Sequence, residues 1–414
     1  MIELTEEEFR LFLENHPQKN FLQTPEIAKI RKKNGWDIYY LGIKENNDLV
    51  AATMIISKKL FLNKKVFYAP RGILIDYDNK KLLSLFVKEL KEFIKEHNGF
   101  ILMIDPYVIN KQRDIDGNIV LDGVDNTQKV KNLENLGFKQ VFKTQQVKWM
   151  FVLDVENKTA DEILKQMHFN TRNRIKYCLK TGVTVRELGY DELPLFKEIT
   201  DLTSERRNFS NRSMNYYQEM YKAFHDKGQI KYLLSEIDLN KYINNLSIEK
   251  EEEIKRRQSL SDVKNNSGKI KEIETTINSL DKKINEAKEI INKGINTLTL
   301  SSAMFIMYGD EVIYLSSGNR KEYINFGGQY RIQWEMINYA IDHKFKRYNF
   351  YGIMDNFDPK DKEYGIYQFK RGFNGYVEEL IGEFDYPVTK LYYLYKSIQN
   401  IKKLIRGKHE DRNS

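Results

Sequence analysis

Two short runs in this chain put a charged side chain where chemistry can use it. Asp105 closes the apolar run FILMIDP (100–106), and the proline after it holds Asp105 extended. An internal strand of an α/β sheet delivers a side chain to a cleft at that position. A carboxylate there can orient an amine or accept its proton, while the plainer role is capping the next turn, since Asp before Pro is common turn chemistry. In IYQFKRGF (366–373), Lys370 and Arg371 stand between Phe369 and Phe373. A cation that aromatic rings keep from bulk water stabilises developing negative charge strongly; a lysine snorkelling from an edge strand is the alternative.

Other positions read as anion-binding. From Lys165 to Arg186 the chain carries Lys165, Arg172, Arg174, Lys176, Lys180 and Arg186 and no acidic residue. Positions 172, 176 and 180 share one helical face, where uncompensated like charges favour a phosphate-rich visitor over a merely solvated face. RRNFSNRSMNYYQEMY (206–221) interleaves Arg206, Arg207 and Arg212 with Phe209, Tyr216 and Tyr217, residues that bind phosphates and stack, although one of the two tyrosines is expected in the core. The net charge of +8 fits nucleic acid, nucleotide phosphates or an acidic membrane face as partners, and it also fits simple solubility. No G-x-S-x-G elbow, Walker loop or helically spaced histidine pair occurs, so hydrolase, NTPase and zinc-enzyme classes have no support. Cys178 is the single cysteine, which excludes an internal disulfide and a cysteine metal cluster and fits a reducing cytoplasm. The acidic start MIELTEEEFR is unlike a secretory signal, and no stretch approaches the ~20 apolar residues of a membrane span, so any membrane contact is expected to be peripheral.

The elements that must position these residues form a pattern that occurs twice. Extended segments (DIYYLGI, LVAATMIIS, KVFYAPRGILI) lead through Gly72 to a helix near 80–97 and then to FILMIDP. SAMFIMY and EVIYLSSG lead through Gly318 to a helix near 329–343 and then to RYNFYGIMD. Gly72 precedes Asp105 by 33 residues and Gly318 precedes Gly352 by 34, so two copies of one mixed α/β unit are expected, divided near residue 150. GNIVLDG (117–123) reads as a surface excursion, and a helix near 126–136 closes the first unit. Between IKYLLSEI and LTLSSAMFIMY the composition changes, and Ile270, Ile273, Ile277, Leu280, Ile284, Ala287 and Ile291 follow a heptad seam. A two-helix coiled-coil arm over 239–295, turning at NNSG (265–268), is therefore expected as an insertion in the second domain (151–414), each helix roughly 35 Å long.

FILMIDP, TRNRIKYCLKTGVTV, YNFYG followed by DNFDP, and IYQFKRGF leading to EELIGEFDYPV resemble the Fem family of peptidoglycan aminoacyltransferases over nearly the whole chain. The resemblance implies two tandem acetyltransferase-like domains, an α/β (α+β) fold, with the arm inside the second. It implies transfer of an amino acid from aminoacyl-tRNA to an amine of the peptidoglycan precursor stem peptide, lipid-linked (lipid II) or UDP-linked, without metal or cofactor. In the family's pattern Asp105 falls on the acidic cleft residue, Lys370 on the lysine that would meet the oxyanion, and Phe369 on the phenylalanine before it. Arg31, Arg212 and Tyr216 fall on residues that hold the precursor's phosphates, and Tyr314 joins them as substrate-binding. Ile27 stands where many members have tryptophan, a departure that bears on the form of the precursor. Arg172, Arg174, Lys176 and Lys180, with the basic tail after Val388, are the expected tRNA-facing surface. Two rival functions are an acetyl-CoA N-acetyltransferase, whose [QR]-x-x-G-x-[GA] loop is missing before the helix near 80 and at FGGQYR (326–331), and a coiled-coil scaffold without catalysis.

Overall fold

The computed structural model describes residues 1–142, 144–261, 266–361 and 363–399. In chain order the first half contains β1 (Ile2–Glu3), α1 (Glu6–Asn15), α2 (Pro25–Lys33), β2 (Asp37–Glu45), β3 (Asp48–Phe61), β4 (Lys64–Ala69), α3 (Lys80–Glu96), β5 (Gly99–Ile104), β6 (Ile109–Gln112), α4 (Thr127–Asn135) and β7 (Lys139–Val141). The second half contains β8 (Trp149–Asp154), α5 (Ala160–Gln166), α6 (Phe169–Thr181), β9 (Val183–Glu187), α7 (Leu193–Arg207), α8 (Met214–Phe224), β10 (Ile230–Asp238), α9 (Leu239–Ser261), α10 (Ser267–Asn292), β11 (Thr297–Tyr308), β12 (Glu311–Asn319), α11 (Gly328–Asp342), β13 (Arg347–Gly352), α12 (Tyr364–Arg371), β14 (Tyr376–Leu380) and β15 (Glu383–Pro387).

The repeat is present in the topology. Antiparallel β2, β3 and β4 lead through α3 to β5, which pairs parallel to β4; antiparallel β10, β11 and β12 lead through α11 to β13, parallel to β12. A helical crossover is what a parallel pair needs, and α3 supplies one whose start is capped by the Asn79 side chain on Leu82 N. Its apolar face (Leu82, Leu83, Phe86, Val87, Leu90, Ile94) is buried on the sheet, each large side chain contributing about 1.5–3 kcal/mol relative to exposure.

Two strands cross the division expected near 150. β15 inserts between β5 and β7 of the first sheet, and β6 pairs with β14 at the edge of the second. Sequence order alone assigned both to the wrong side, because nothing local marks which sheet a short strand completes. One apolar cluster also spans the halves, joining Phe9, Phe21, Ile27 and Met54 to Phe196, Tyr217, Met304 and Ile313. Gly318 permits another close contact, since a Cβ there would lie 2.2 Å from the carbonyl oxygen of Ile199, so α7 packs directly on β12.

The arm leaves the β10–β11 pair at Asp238 and returns at Thr297, residues that face each other in the ladder, so it is an insertion into a hairpin. Lys250 meets Asp281 at 2.6 Å and Arg257 meets Glu274 at 3.8 Å, which fixes an antiparallel register. Ile273, Ile277, Leu280, Ile284 and Ala287 are buried along the seam. At the base, however, Leu246, Leu280, Ile284 and Ala287 share a cluster with Cys178, Val183, Ile237 and Leu300 of the globular part. Asn265 of the expected turn lies outside the described residues; Asn266 precedes α10. Deleting 254–274 with a short linker should therefore leave cooperative unfolding near the native Tm. Deleting 245–288 should lower the Tm by stripping Leu246, Leu280, Ile284 and Ala287 from Cys178 and Val183, and equal melting of the two deletions would contradict this packing.

Candidate functional site

The acidic end of the site is built where β4 and β5 finish side by side. Asp105 follows β5 directly, is 2% exposed, and accepts the Arg71 backbone N–H through Oδ1 at 2.7 Å. Arg71 adopts the left-handed conformation (φ 55), which turns its amide inward just after β4. Its guanidinium, also buried, faces Asp105 Oδ2 at 3.7 Å, donates to the Val147 carbonyl at 2.8 Å and lies over the Tyr107 ring. Oδ2 and the buried Tyr68 hydroxyl make no hydrogen bond of good geometry, although the hydroxyl lies near enough to hold the carboxyl down. Burial pushes the Asp105 carboxyl up to about 6, with Arg71 pulling it back. Glu383 stands on the neighbouring strand, one residue beyond the Phe384–Ile104 pair, where the Asp105 charge reaches it, and accepts Gln145 N–H at 2.6 Å. Burial raises its carboxyl to about 7, and the Asp105 charge adds to the rise.

The end of β13 joins this cluster to the basic one. A break in the β13–β8 register between Asn349 and Gly352 re-aims Tyr351, which sits at φ 63 with its N–H held by Asn349 Oδ1 at 2.8 Å. Arg71, Tyr107, Asn349 and Tyr351 line one narrow crevice between the halves. Burial raises the Tyr351 phenol, and the charges of Arg71, Asp105 and Arg212 all act on it. Arg212 packs its guanidinium 5.5 Å from the Tyr216 ring. Burial pushes the Tyr216 phenol up to about 12 against the opposing charges of Arg212 and Arg31. Tyr217, its neighbour, is the tyrosine that goes to the core, donating to Asn211 at 2.6 Å.

Gly352, next to Tyr351, accepts Lys370 Nζ through its carbonyl at 2.6 Å. Lys370 is 5% exposed and lies on α12, not on an edge strand. Burial draws its ammonium down to about 7, and Arg207 acts in the same direction. The expected aromatic sandwich takes a different form, because Phe369 and Phe373 are one helical turn apart: they meet each other at 5.4 Å and pack on Tyr330. Phe369 is thus a wall of the hydrophobic cluster beneath α12, and protein burial keeps Lys370 from water. At Gly372 a Cβ would fall 2.1 Å from Thr171 Oγ1, so glycine lets α12 dock against α6. Arg371 is taken up by Asp116 at 2.5 Å. Tyr314 donates to Ser317 at 2.5 Å, stacks on Phe305, and shares with Lys370 the influence of Arg207.

The basic helix α6 does not carry a bare row of charge. Lys180 pairs with Glu249 of the arm at 2.9 Å, an acid that lies far away in sequence. Arg172 reaches the Lys165 carbonyl and Arg174 the Asn325 carbonyl, while Lys176 is exposed. Of the basic tail, Lys390 is exposed and Lys396 pairs with Asp385 at 2.5 Å; residues 400–414 lie outside the described part. The residues missed by sequence reading are Arg71, Tyr68, Tyr351 and Glu383, while Arg207, read there as a phosphate-binding cation, acts on Lys370 and Tyr314. The only signals for Arg71 and Tyr351 were their places at the ends of apolar runs, and Glu383 was hidden in a run of acids.

Two α/β halves of one repeated topology face each other across this site. The FemAB family model matches residues 4–403. The chain is 32% identical over 414 residues to aminoacyltransferase FemA of Staphylococcus epidermidis, covering 97% of this chain and 99% of that one. It is 31% identical over 413 residues to the FemA of Staphylococcus aureus strain N315, covering 96% and 98%. The crystal structure of FemX superposes with a TM-score of 0.73 at 26% identity, over 95% of this chain and 98% of that one. The chain belongs to the FemAB family, and its relatives in that comparison are aminoacyltransferases.

The Asp105 carboxyl is raised, so its protonated form stabilises the fold below about pH 4 and that contribution is lost as pH rises through about 6. Urea melts from pH 4 to 8 should show the native protein losing stability relative to Asp105→Asn up to about pH 6 and running parallel to it above. A constant difference across the range would refute the buried, proton-retaining carboxyl.

Proposed function

We propose that this protein moves an amino acid from aminoacyl-tRNA to a free amine on the stem peptide of a peptidoglycan precursor, building the interpeptide bridge. The observation that carries the reading is the shared strand end: Tyr351 faces the Asp105 cluster and Gly352 holds Lys370. An amine must be neutral to attack, and a desolvated carboxylate one of whose oxygens lies only in an ion pair with Arg71 can orient it first and take its proton second. The amine nitrogen bonds to the ester carbonyl carbon, giving a tetrahedral oxyanion that the Lys370 ammonium meets, and then the ester C–O bond breaks. The proton leaves with the ribose oxygen or through Asp105. Arg31, Arg212 and Tyr216 suit the phosphates of the precursor, and α6 suits the tRNA backbone.

The acetyl-CoA reading has less behind it. At the start of α11 a Cβ on Gly328 would meet Ser235 at 2.4 Å and Leu300 at 2.6 Å, so this glycine serves close packing and not a pyrophosphate cradle. Among the described residues no helix is long and apolar enough to cross a membrane, and the family reading puts the enzyme on the cytoplasmic side.

Lys370→Met keeps the stem and removes the cation. Single-turnover transfer from charged tRNA should fall by about 10² to 10³, with a Tm equal to or above native because a desolvated ammonium is gone. Asp105→Asn should cost less if the ribose carries the proton. Full transfer by Lys370→Met would remove the lysine from the mechanism. Affinity for charged tRNA should drop steeply with salt, and Lys176→Gln should lower the log–log slope by about 1. A salt-independent affinity would exclude α6 as the tRNA surface.

A further inference from the structure

The β3–β4 hairpin ends in an arrangement that neither the site nor the fold uses. Its tip reads Lys58-Lys59-Leu60-Phe61-Leu62-Asn63-Lys64-Lys65, four lysines and no acid. Leu60 is 54% and Leu62 66% exposed. The two-residue turn places both Leu62 (φ 47) and Asn63 (φ 56) in the left-handed region. Asparagine and glycine are preferred at both central positions of such a turn, and a leucine carries a backbone strain there while its side chain stays largely exposed. The strain sets a largely exposed apolar side chain at the end of the hairpin, an outlier of the kind that marks function.

The base of the tip is packed, and only Lys65 of its four lysines pairs with an acid among the described residues. Phe61, between the two leucines, turns inward onto Tyr395 (5.5 Å) within a cluster that holds Val66, Phe100 and Tyr392. The helical segment 391–399 thereby braces the base of the hairpin. Lys65 is neutralised by Asp37 at 2.8 Å, and Lys58 lies along the Trp36 ring with its ammonium on the Asn34 carbonyl. Lys59 and Lys64 are exposed, Lys64 donating to the neutral Asn98 side chain.

We propose that this hairpin tip docks the protein on an anionic lipid bilayer, Leu60 and Leu62 entering the headgroup boundary and Lys58, Lys59 and Lys64 meeting lipid phosphates. Protruding apolar residues ringed by lysines match an anionic interface in both charge and depth, whereas a protein partner would need a wider patch than two leucines. β4 leads from the tip towards Arg71, and at about 3.3 Å per residue the stretch from Asn63 to Arg71 spans about 26 Å, so the bilayer surface would lie within about that distance of Asp105. A stem peptide carried on a membrane lipid can span that distance. In this respect the inference rests on the proposed transfer reaction and favours a lipid-linked acceptor.

The test is flotation of the full chain with vesicles of phosphatidylglycerol and phosphatidylcholine, and with phosphatidylcholine alone, beside transfer to a soluble precursor. The native protein should float with the anionic vesicles and lose that binding at high salt. Lys59→Gln should weaken binding about fivefold, the worth of one lysine near an anionic surface, and Leu60→Ser with Leu62→Asn at least about tenfold. Asparagine accepts the left-handed conformation, so the double variant should melt no lower than native, and its transfer to the soluble precursor should be unchanged. Failure of the native protein to float, or undiminished flotation of the double variant, would overturn the docking surface. A native dimer in sedimentation that the double variant abolishes would assign the tip to a second copy and overturn it equally. Loss of transfer in every arm with flotation intact would count against the transferase reading alone.

Discussion

Each half of the molecule completes its sheet with a strand drawn from the other. β15 supplies the first sheet with a partner for β5, and β6 takes the outer edge of the second. Backbone hydrogen bonds are obligatory once buried, so these exchanges cannot be released without exposing whole ladders. The halves are therefore fixed against one another, and the cleft between them is a part of the core. Tyr107 strengthens this on the polar side by donating to Glu311 at 2.7 Å, where Arg347 also holds Glu378 bidentately. These groups border a cavity of about 200 Å³ beside the crevice.

A fixed, dry cleft explains the unusual state of its ionisable groups. Burial disfavours charge of either sign, which lifts Asp105 and Glu383 and lowers Lys370 toward neutrality. Arg71, whose own charge burial opposes, is kept ionised by Asp105 beside it, as Arg347 is by Glu311 and Glu378. Such an environment costs stability and gains reactivity, since a group that is poorly solvated in the ground state responds strongly to charge that appears during a reaction. The strained positions at Arg71 and Tyr351 lie at the two strand ends that face this cleft, where the surrounding ladders hold them in place.

The periodic features were legible because they depend on neighbours in sequence. Apolar spacing located the helix at 80–96, the crossover at 328–342 and the seam of the arm, and the equal spacing from Gly72 and Gly318 revealed the repeat. Asp105 and Lys370 stood out since each ends or interrupts an apolar run, a local property. What tertiary structure alone decided is everything that depends on elements meeting across the chain. Glu249 of the arm neutralises Lys180, the packing of α7 brings Arg207 near Lys370, and β15 places Glu383 where the Asp105 charge reaches it. Phe369 and Phe373 flank Lys370 in sequence, yet helical geometry turns their rings to Tyr330 and leaves protein burial to hold the cation. Sequence determined which residues have reactive or apolar character, because composition and period are written along the chain. The company each charge keeps was set by the fold, because Coulomb energy and desolvation depend on distance in space.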